Sequence, residues 1–191
     1  MKVSKEDNAE NRVKMLRAAS ATIREHGAAQ ASVAGIAGRA GLTHGAVYRH
    51  FPSKTALVAA AVESAFDDIA LLLERLGEEG AGPAGYVRTY LSPDHRDHYP
   101  WGCPAAPLAA EMPRLEPQVQ QAFVAGLQRN IDGLVSLGAE QGLDRAKATA
   151  MLATLVGALA LARAARPVDA ALSDRIMADA RHALLDGLAP K

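Results

Sequence analysis

A chain of 191 residues, 49% hydrophobic and 22% charged, is sized and composed for one or two folded domains, which excludes disorder as its main state. The formal net charge is zero but unevenly spread: residues 1–56 carry nine Lys or Arg against four acids, a net of +5, leaving −5 on the remainder. A basic head on an acidic body suits a protein that offers one end to phosphates, although a merely solvated basic surface has the same composition.

Aromatic residues supply only 4% of the chain and alanine and leucine dominate, so the core must be filled by small and branched side chains that favour helix. An all-α fold is the expectation. Cys103 is the single cysteine, which rules out an intrachain disulfide and makes a cytoplasmic location the simplest home. The polar start, Met1 to Asp7, has no apolar core and does not read as a signal peptide. The charge-free run from Ala148 to Ala162 is 15 residues long, shorter than the roughly 20 of a membrane span, so a buried helix and no membrane partner are expected.

In chain order, Val13, Leu16, Ala19 and Ile23 fall at helical spacing and predict a helix from about Ala9 to His26, stopped by Gly27. Ser32 is placed to cap a short second helix carrying Val33, Ile36 and Ala37 inward and ended by Gly41. Thr43 is placed to cap a third, from His44 to about His50. Pro52 breaks that one, and Ser53 opens a long fourth helix from Lys54 to about Leu76. Gly77 to Pro83 reads as a loop, followed by a short helix over Ala84 to Leu91. Four prolines between Ser92 and Pro107 make that segment too broken for one regular element. Helical spacing returns over Leu108 to Met112 and breaks at Pro113. It then runs from about Pro117 to Gln141 with Val119, Phe123, Leu127, Ile131 and Leu134 on one stripe. Two last helices are expected over Asp144 to Arg166 and Ala170 to Leu188, separated by Pro167.

Residues 32–50 have the layout of a helix-turn-helix, in which a supporting helix and a tight turn hold an exposed helix for the major groove. Ala37 and Ala40 allow close helix contact, and Gly41 suits a left-handed turn position. Leu42 and Val47 are expected inward and Phe51 in the core. Thr43, His44, Gly45, Ala46, Tyr48, Arg49 and His50 remain to be divided between groove, DNA backbone and core. Gly35 and Gly38 sit inside the supporting helix, each costing about 0.5–1 kcal/mol relative to alanine, so a loose head is expected.

The run Ile36-Ala37, Ala40-Gly41-Leu42-Thr43, Gly45-Ala46-Val47-Tyr48-Arg49-His50-Phe51, then Ser53-Lys54 and Leu57, resembles the signature of the tetracycline-repressor (TetR) family over about the first third of the chain. The resemblance implies a DNA-binding domain over residues 1–56, and a helical ligand-binding and dimerisation domain over residues 57–191. It also implies that Tyr48, His50 and Lys54 hold the phosphate backbone. A phenol, an imidazole and an ammonium can each donate to phosphate oxygen while carrying no base information. His44, Gly45 and Ala46, at the front of the recognition helix, are then the expected base-reading positions, with Arg49 reaching a guanine or a phosphate. Ser32 and Thr43 complete the expected DNA-binding set.

For the body, the family implies a small-molecule effector and a homodimer formed through the last two long helices. The nearly all-round apolar surface between Ala148 and Ala165 agrees with the dimer, although a fully buried monomeric core helix would look the same. Candidate effector-lining residues are Phe66, Tyr86, Tyr90, Trp101, Cys103, Leu108, Met112, Phe123 and Leu127, a mostly apolar set that core packing also explains. Gly102-Cys103-Pro104 is similar to a subset of the family whose matching cysteine reacts with electrophiles or oxidants. A helix dipole, Arg96 or a protonated His95 or His98 would lower the thiol's pKa, whereas a small buried apolar residue is the alternative. His95, His98 and Cys103 also have a loose metal-ligand spacing, with a solvated polar loop as the alternative. No cofactor and no metal are expected.

The function expected is a dimeric repressor bound to a palindromic double-stranded operator and released by a small, apolar or electrophilic effector. The alternatives are a thiol sensor acting through Cys103, or a helical enzyme with a vestigial head. No Ser/His/Asp set, phosphate loop or paired carboxylates support the enzyme.

Overall fold

The computed structural model describes residues 5–188, with side chains from Asp7. Residues 1–4, which hold most of the polar start read above, and residues 189–191 lie outside the described part. The described residues form ten α-helices and two 3-10 turns with no strand, so the fold is all-α as expected.

The head is built by α1 (Lys5–His26), α2 (Val33–Arg39) and α3 (His44–His50). The buried stripe of α1 runs through Met15, Ala19 and Ile23, while Val13 is exposed. At about 100° per residue Val13 sits roughly 160° around the helix from Met15, so it cannot share that face. The Ser32 hydroxyl caps α2 by accepting the Gly35 N–H at 3.0 Å. A Cβ on Gly35 would come within 2.9 Å of that hydroxyl, so the glycine that weakens the helix also makes room for its cap. Gly41 turns the chain at φ +67°, and Val33, Ile36, Ala37, Val47 and Phe51 close the core of the head.

The Ser53 hydroxyl accepts the Ala56 N–H at 3.1 Å and opens α4 (Lys54–Glu78), the rod between head and body. The expected loop from Gly77 shrinks to Glu79–Ala81. Gly77 and Glu78 continue α4, and α5 (Gly82–Tyr90) begins at Gly82 with Pro83 in its first turn, where a missing N–H costs nothing. The proline-rich stretch yields two short helices, α6 (Pro93–Asp97) and α7 (Ala105–Leu108). Pro93 and Pro107 are tolerated because both fall in first turns. Leu108 to Met112 is therefore not a helix start: α7 ends there, and Pro113 lies inside a 3-10 turn, Met112–Arg114.

The next helix, α8 (Pro117–Leu137), lies along α4. Its buried stripe is Val119, Ala122, Phe123, Gly126, Asn130 and Leu134, which leaves Leu127 and Ile131 at the margin. Gly126 makes the close approach, since a Cβ there would lie 2.1 Å from the Phe66 ring. The helix stops at Gly138, short of Gln141, because Leu143 folds back over it and would meet a Cβ at 2.5 Å. Asp144 caps α9 (Arg145–Ala165), and Asp169 caps α10 (Ala170–Gly187). By length and composition alone α9 could cross a membrane. In the fold it packs on α7, α8 and α10, as a core helix does.

Candidate functional site

On α3 the exposed face presents His44, Gly45, Tyr48 and Arg49, preceded by the exposed Thr43. His44 and Tyr48, one turn apart, stack edge to face with ring centroids 5.1 Å apart, which orients the phenol outward. Thr43 occupies the N-cap position but its hydroxyl makes no capping bond, so it is free for other donors. Nothing lies within 4 Å of a Cβ built on Gly45, which leaves open backbone at the front of the helix. Ala46 departs from expectation: it is 4% exposed and packs inside the head, so it cannot touch a base edge.

His50 is half-buried, and burial first, then the Arg12 and Arg49 charges, lowers its pKa. The shift favours the neutral ring, which keeps one N–H to donate. Arg12, which the sequence reading missed, lies 5.5 Å from the Phe51 ring centroid and brings another cation to this end of α3. Lys54 is exposed at the start of α4, its ammonium 3.4 Å from the Ala29 carbonyl oxygen. The Ser32 hydroxyl is committed to the α2 cap, although its residue is exposed.

Two side chains join head to body. Arg24 of α1 is buried; its Nη2 donates to the Ala65 carbonyl at 2.9 Å and to Asp68 at 2.7 Å, and its Nη1 to Ser20 at 2.7 Å. From the other side, Glu111 accepts the backbone N–H of Ala28 at 2.7 Å and of Ala29 at 3.0 Å, just after Gly27 turns the chain at φ +83°. Arg24 had a sequence signal, a cation beside the buried Ile23 on an otherwise apolar stripe. Glu111 had none, because its partners are backbone groups more than 80 residues away.

The body contains a cavity of about 430 Å³ between α4, α5 and the segment after α6, walled by Ile69, Leu72, Tyr90, Trp101 and Cys103, with Arg75 and His98 at its edge. Of the nine expected effector residues it gathers Tyr90, Trp101 and Cys103. Trp101 is 64% exposed and sits at the mouth. Phe66 and Phe123 instead pack edge to face at 5.5 Å, and Tyr86, Leu108 and Met112 are core, with Leu127 packed at its margin. Tyr86 donates to Asn130 Oδ1 at 3.5 Å, while among the described residues the buried Asn130 Nδ2 has no hydrogen-bond partner. Burial holds both phenol pKa values well above normal.

Cys103 is fully buried, and burial raises its thiol pKa despite the Tyr90 hydroxyl and the α7 amides acting in the opposite sense. This reverses the lowered value expected for a sensor. The neighbours invoked for lowering it are otherwise engaged. His95 Nδ1 donates to the Tyr90 carbonyl at 2.7 Å, and its Nε2 accepts the Cys103 N–H at 3.0 Å. Burial drives His95 down to about 4, so it is neutral. With both ring nitrogens used, it is also unavailable to a metal. Arg96 turns away to Asp97, Ser173 and Asp174.

Residues 15–61 match the family described as bacterial regulatory proteins, tetR family. No curated protein matches the chain. Among solved structures, a TetR transcriptional regulator from Legionella pneumophila superposes with TM-score 0.78 at 20% identity, covering 99% of this chain and 100% of that one. A TetR-family regulator from Agrobacterium tumefaciens gives 0.73 at 24% identity, over 92% and 98% of the two chains. The reduced form of Escherichia coli NemR gives 0.74 at 20%, over 91% and 96%. These likenesses establish the fold across the chain, and the matched head establishes a helix-turn-helix DNA-binding domain. The head thus matches the tetR family of bacterial regulatory proteins, and the chain as a whole has the fold of solved TetR-family regulators.

Proposed function

We propose that the protein is a dimeric repressor, acting in the cytoplasm, that binds a palindromic operator and is released by a small apolar molecule. The observation that carries this reading is the face of α3: Tyr48 and Arg49 point out beside open backbone at Gly45, on a head of net charge +5. Tyr48, neutral His50 and Lys54 hold phosphates. Thr43, His44, Gly45 and Arg49 meet base edges, and Ser32 lies at the rim. We place the boundary between the DNA-binding domain and the helical body near residue 56, in the first turn of α4.

The dimer is supported by apolar side chains left outside the fold on the last two helices and the turn between them: Leu161 is 62% exposed, Val168 94% and Leu172 40%. The effector is supported by the 430 Å³ cavity, whose Ile69, Leu72, Tyr90 and Trp101 suit an apolar or aromatic body. Because α4 walls this cavity and also starts at Lys54, an occupant that displaces Ile69 and Leu72 would shift the rod carrying the head.

A thiol-sensing variant has one observation in its favour: Cys103 lines the same cavity, so an electrophilic occupant would meet it. The raised thiol pKa places it second.

The test is fluorescence anisotropy with duplex DNA from upstream of the protein's own gene. The expected result is a salt-sensitive, sequence-specific complex that Trp101→Ala still forms but releases less readily with apolar aromatic compounds. Equal affinity for scrambled DNA would overturn the reading. For the thiol variant, Cys103→Ser that still releases DNA with an electrophile as the wild type does would remove it.

A further inference from the structure

A second cavity, of about 450 Å³, lies at the seam between head and body, apart from the one that holds Trp101. Its walls include Arg24, Tyr99, Pro107, Glu111, Arg114 and Arg163. The charges in it are unevenly satisfied. Arg24 is paired with Asp68, and Glu25 with Arg39. Glu111 spends both oxygens on the Ala28 and Ala29 amides.

Arg163 and Arg114 are left over. The half-buried Arg163 guanidinium donates only to carbonyls, His95 at 2.6 Å and Arg96 at 3.1 Å, and lies 4.7 Å from the Tyr99 ring centroid. The exposed Arg114 has one 3.3 Å bond to the Ala110 carbonyl. Among the described residues, neither guanidinium has a carboxylate within ion-pair distance. A cation taken partly out of water without a counter-charge is costly, and its pKa is pulled down by burial accordingly. Beside the already paired polar groups, the rest of the wall is apolar: Pro107, three alanines and the Tyr99 ring.

We propose that this seam cavity binds a small organic monocarboxylate, its carboxylate held by Arg163 and Arg114 and its apolar body against Pro107 and Tyr99. A guanidinium matches a carboxylate with two parallel N–H donors, and about 450 Å³ leaves room for an attached ring or short chain. The bound molecule would lie beside Glu111, the residue that holds the α1–α2 turn, so it would occupy the contact through which body and head meet.

Thermal unfolding of the full chain with benzoate as probe and benzamide as its neutral isostere tests this without DNA, so the result is independent of the proposed repressor function. Benzoate at about ten times its Kd should raise the Tm by roughly 3–5 °C, saturably, and benzamide should not. Arg114→Gln, at an exposed position that does not threaten folding, should weaken benzoate about tenfold, and Arg163→Gln at least as much. Arg75→Gln, in the other cavity, should bind benzoate as the wild type does. The proposal is overturned if benzoate gives no shift at tens of millimolar, if benzamide shifts the Tm equally, or if Arg75→Gln loses binding while Arg114→Gln keeps it.

Discussion

The Glu111 carboxylate accepts the Ala28 N–H at 2.7 Å from 83 residues away, and so fastens the turn after α1 to the body. Among the described residues neither Ala28 nor Ala29 has another partner for its N–H, and a carboxylate is the acceptor best matched to two adjacent amides. Glu111→Ala should therefore lower unfolding stability by about 1–3 kcal/mol. Faster hydrogen exchange at Ala28 and Ala29 than elsewhere in the head would accompany it. Urea titration and exchange by mass spectrometry check both, with Glu111→Gln expected to fall between.

His95 should make stability fall in acid. Its folded pKa is depressed from 6.5 to about 4, first by burial, so the folded protein holds the neutral ring. The unfolded chain takes up a proton below about pH 6.5, which favours unfolding progressively as pH falls from there toward 4. The full contribution is of order 3 kcal/mol. Urea unfolding between pH 7 and 4.5 should show this slope in the wild type and a flatter one in His95→Gln; equal slopes would remove His95 from the account.

Two glycines should respond in opposite directions to alanine. Gly126→Ala places a methyl 2.1 Å from the Phe66 ring, inside the α4–α8 contact, and should cost about 1–3 kcal/mol. Gly38→Ala meets nothing within 4 Å in α2 and should stabilise by about 0.5–1 kcal/mol through helix propensity. Thermal melting of both variants decides the matter.

These glycines show where reading the sequence stopped. Gly41, Ser32 and Ser53 were legible, because a turn conformation and a cap depend on neighbours a few residues away. The helices of the head and the exposed ends of α3 followed from the same local rules. Gly126 and Glu111 were not legible, since what they touch is brought there by the packing of distant helices. Ala46 was misplaced for a related reason. In a helix of seven residues the inward face is set by what α1 and α2 press against it, not by periodicity alone. The expected effector residues divide for the same reason: most aromatic residues of the body fill the α4–α5–α8 core, while Tyr90 and Trp101, with Cys103, line the cavity.

Lys54 and Tyr48 should affect DNA binding without changing its sequence preference. In the proposed complex Lys54→Ala removes one phosphate contact per head, and should weaken all duplexes alike and reduce the slope of log affinity against log salt by about 1 per head. Tyr48→Phe should weaken binding more modestly, with an unchanged slope, because the lost donor is uncharged. Anisotropy titrations at several salt concentrations measure both.

Selection of binding sites from a random duplex library, with the wild type and with Arg49→Ala, tests whether the exposed face of α3 reads an operator as part of a two-fold dimer. The expected result is an enriched inverted repeat with half-sites about one helical turn apart or somewhat more, and relaxed preference at one position of each half-site for Arg49→Ala. No enriched sequence, or an asymmetric site that Arg49→Ala selects identically, would contradict it.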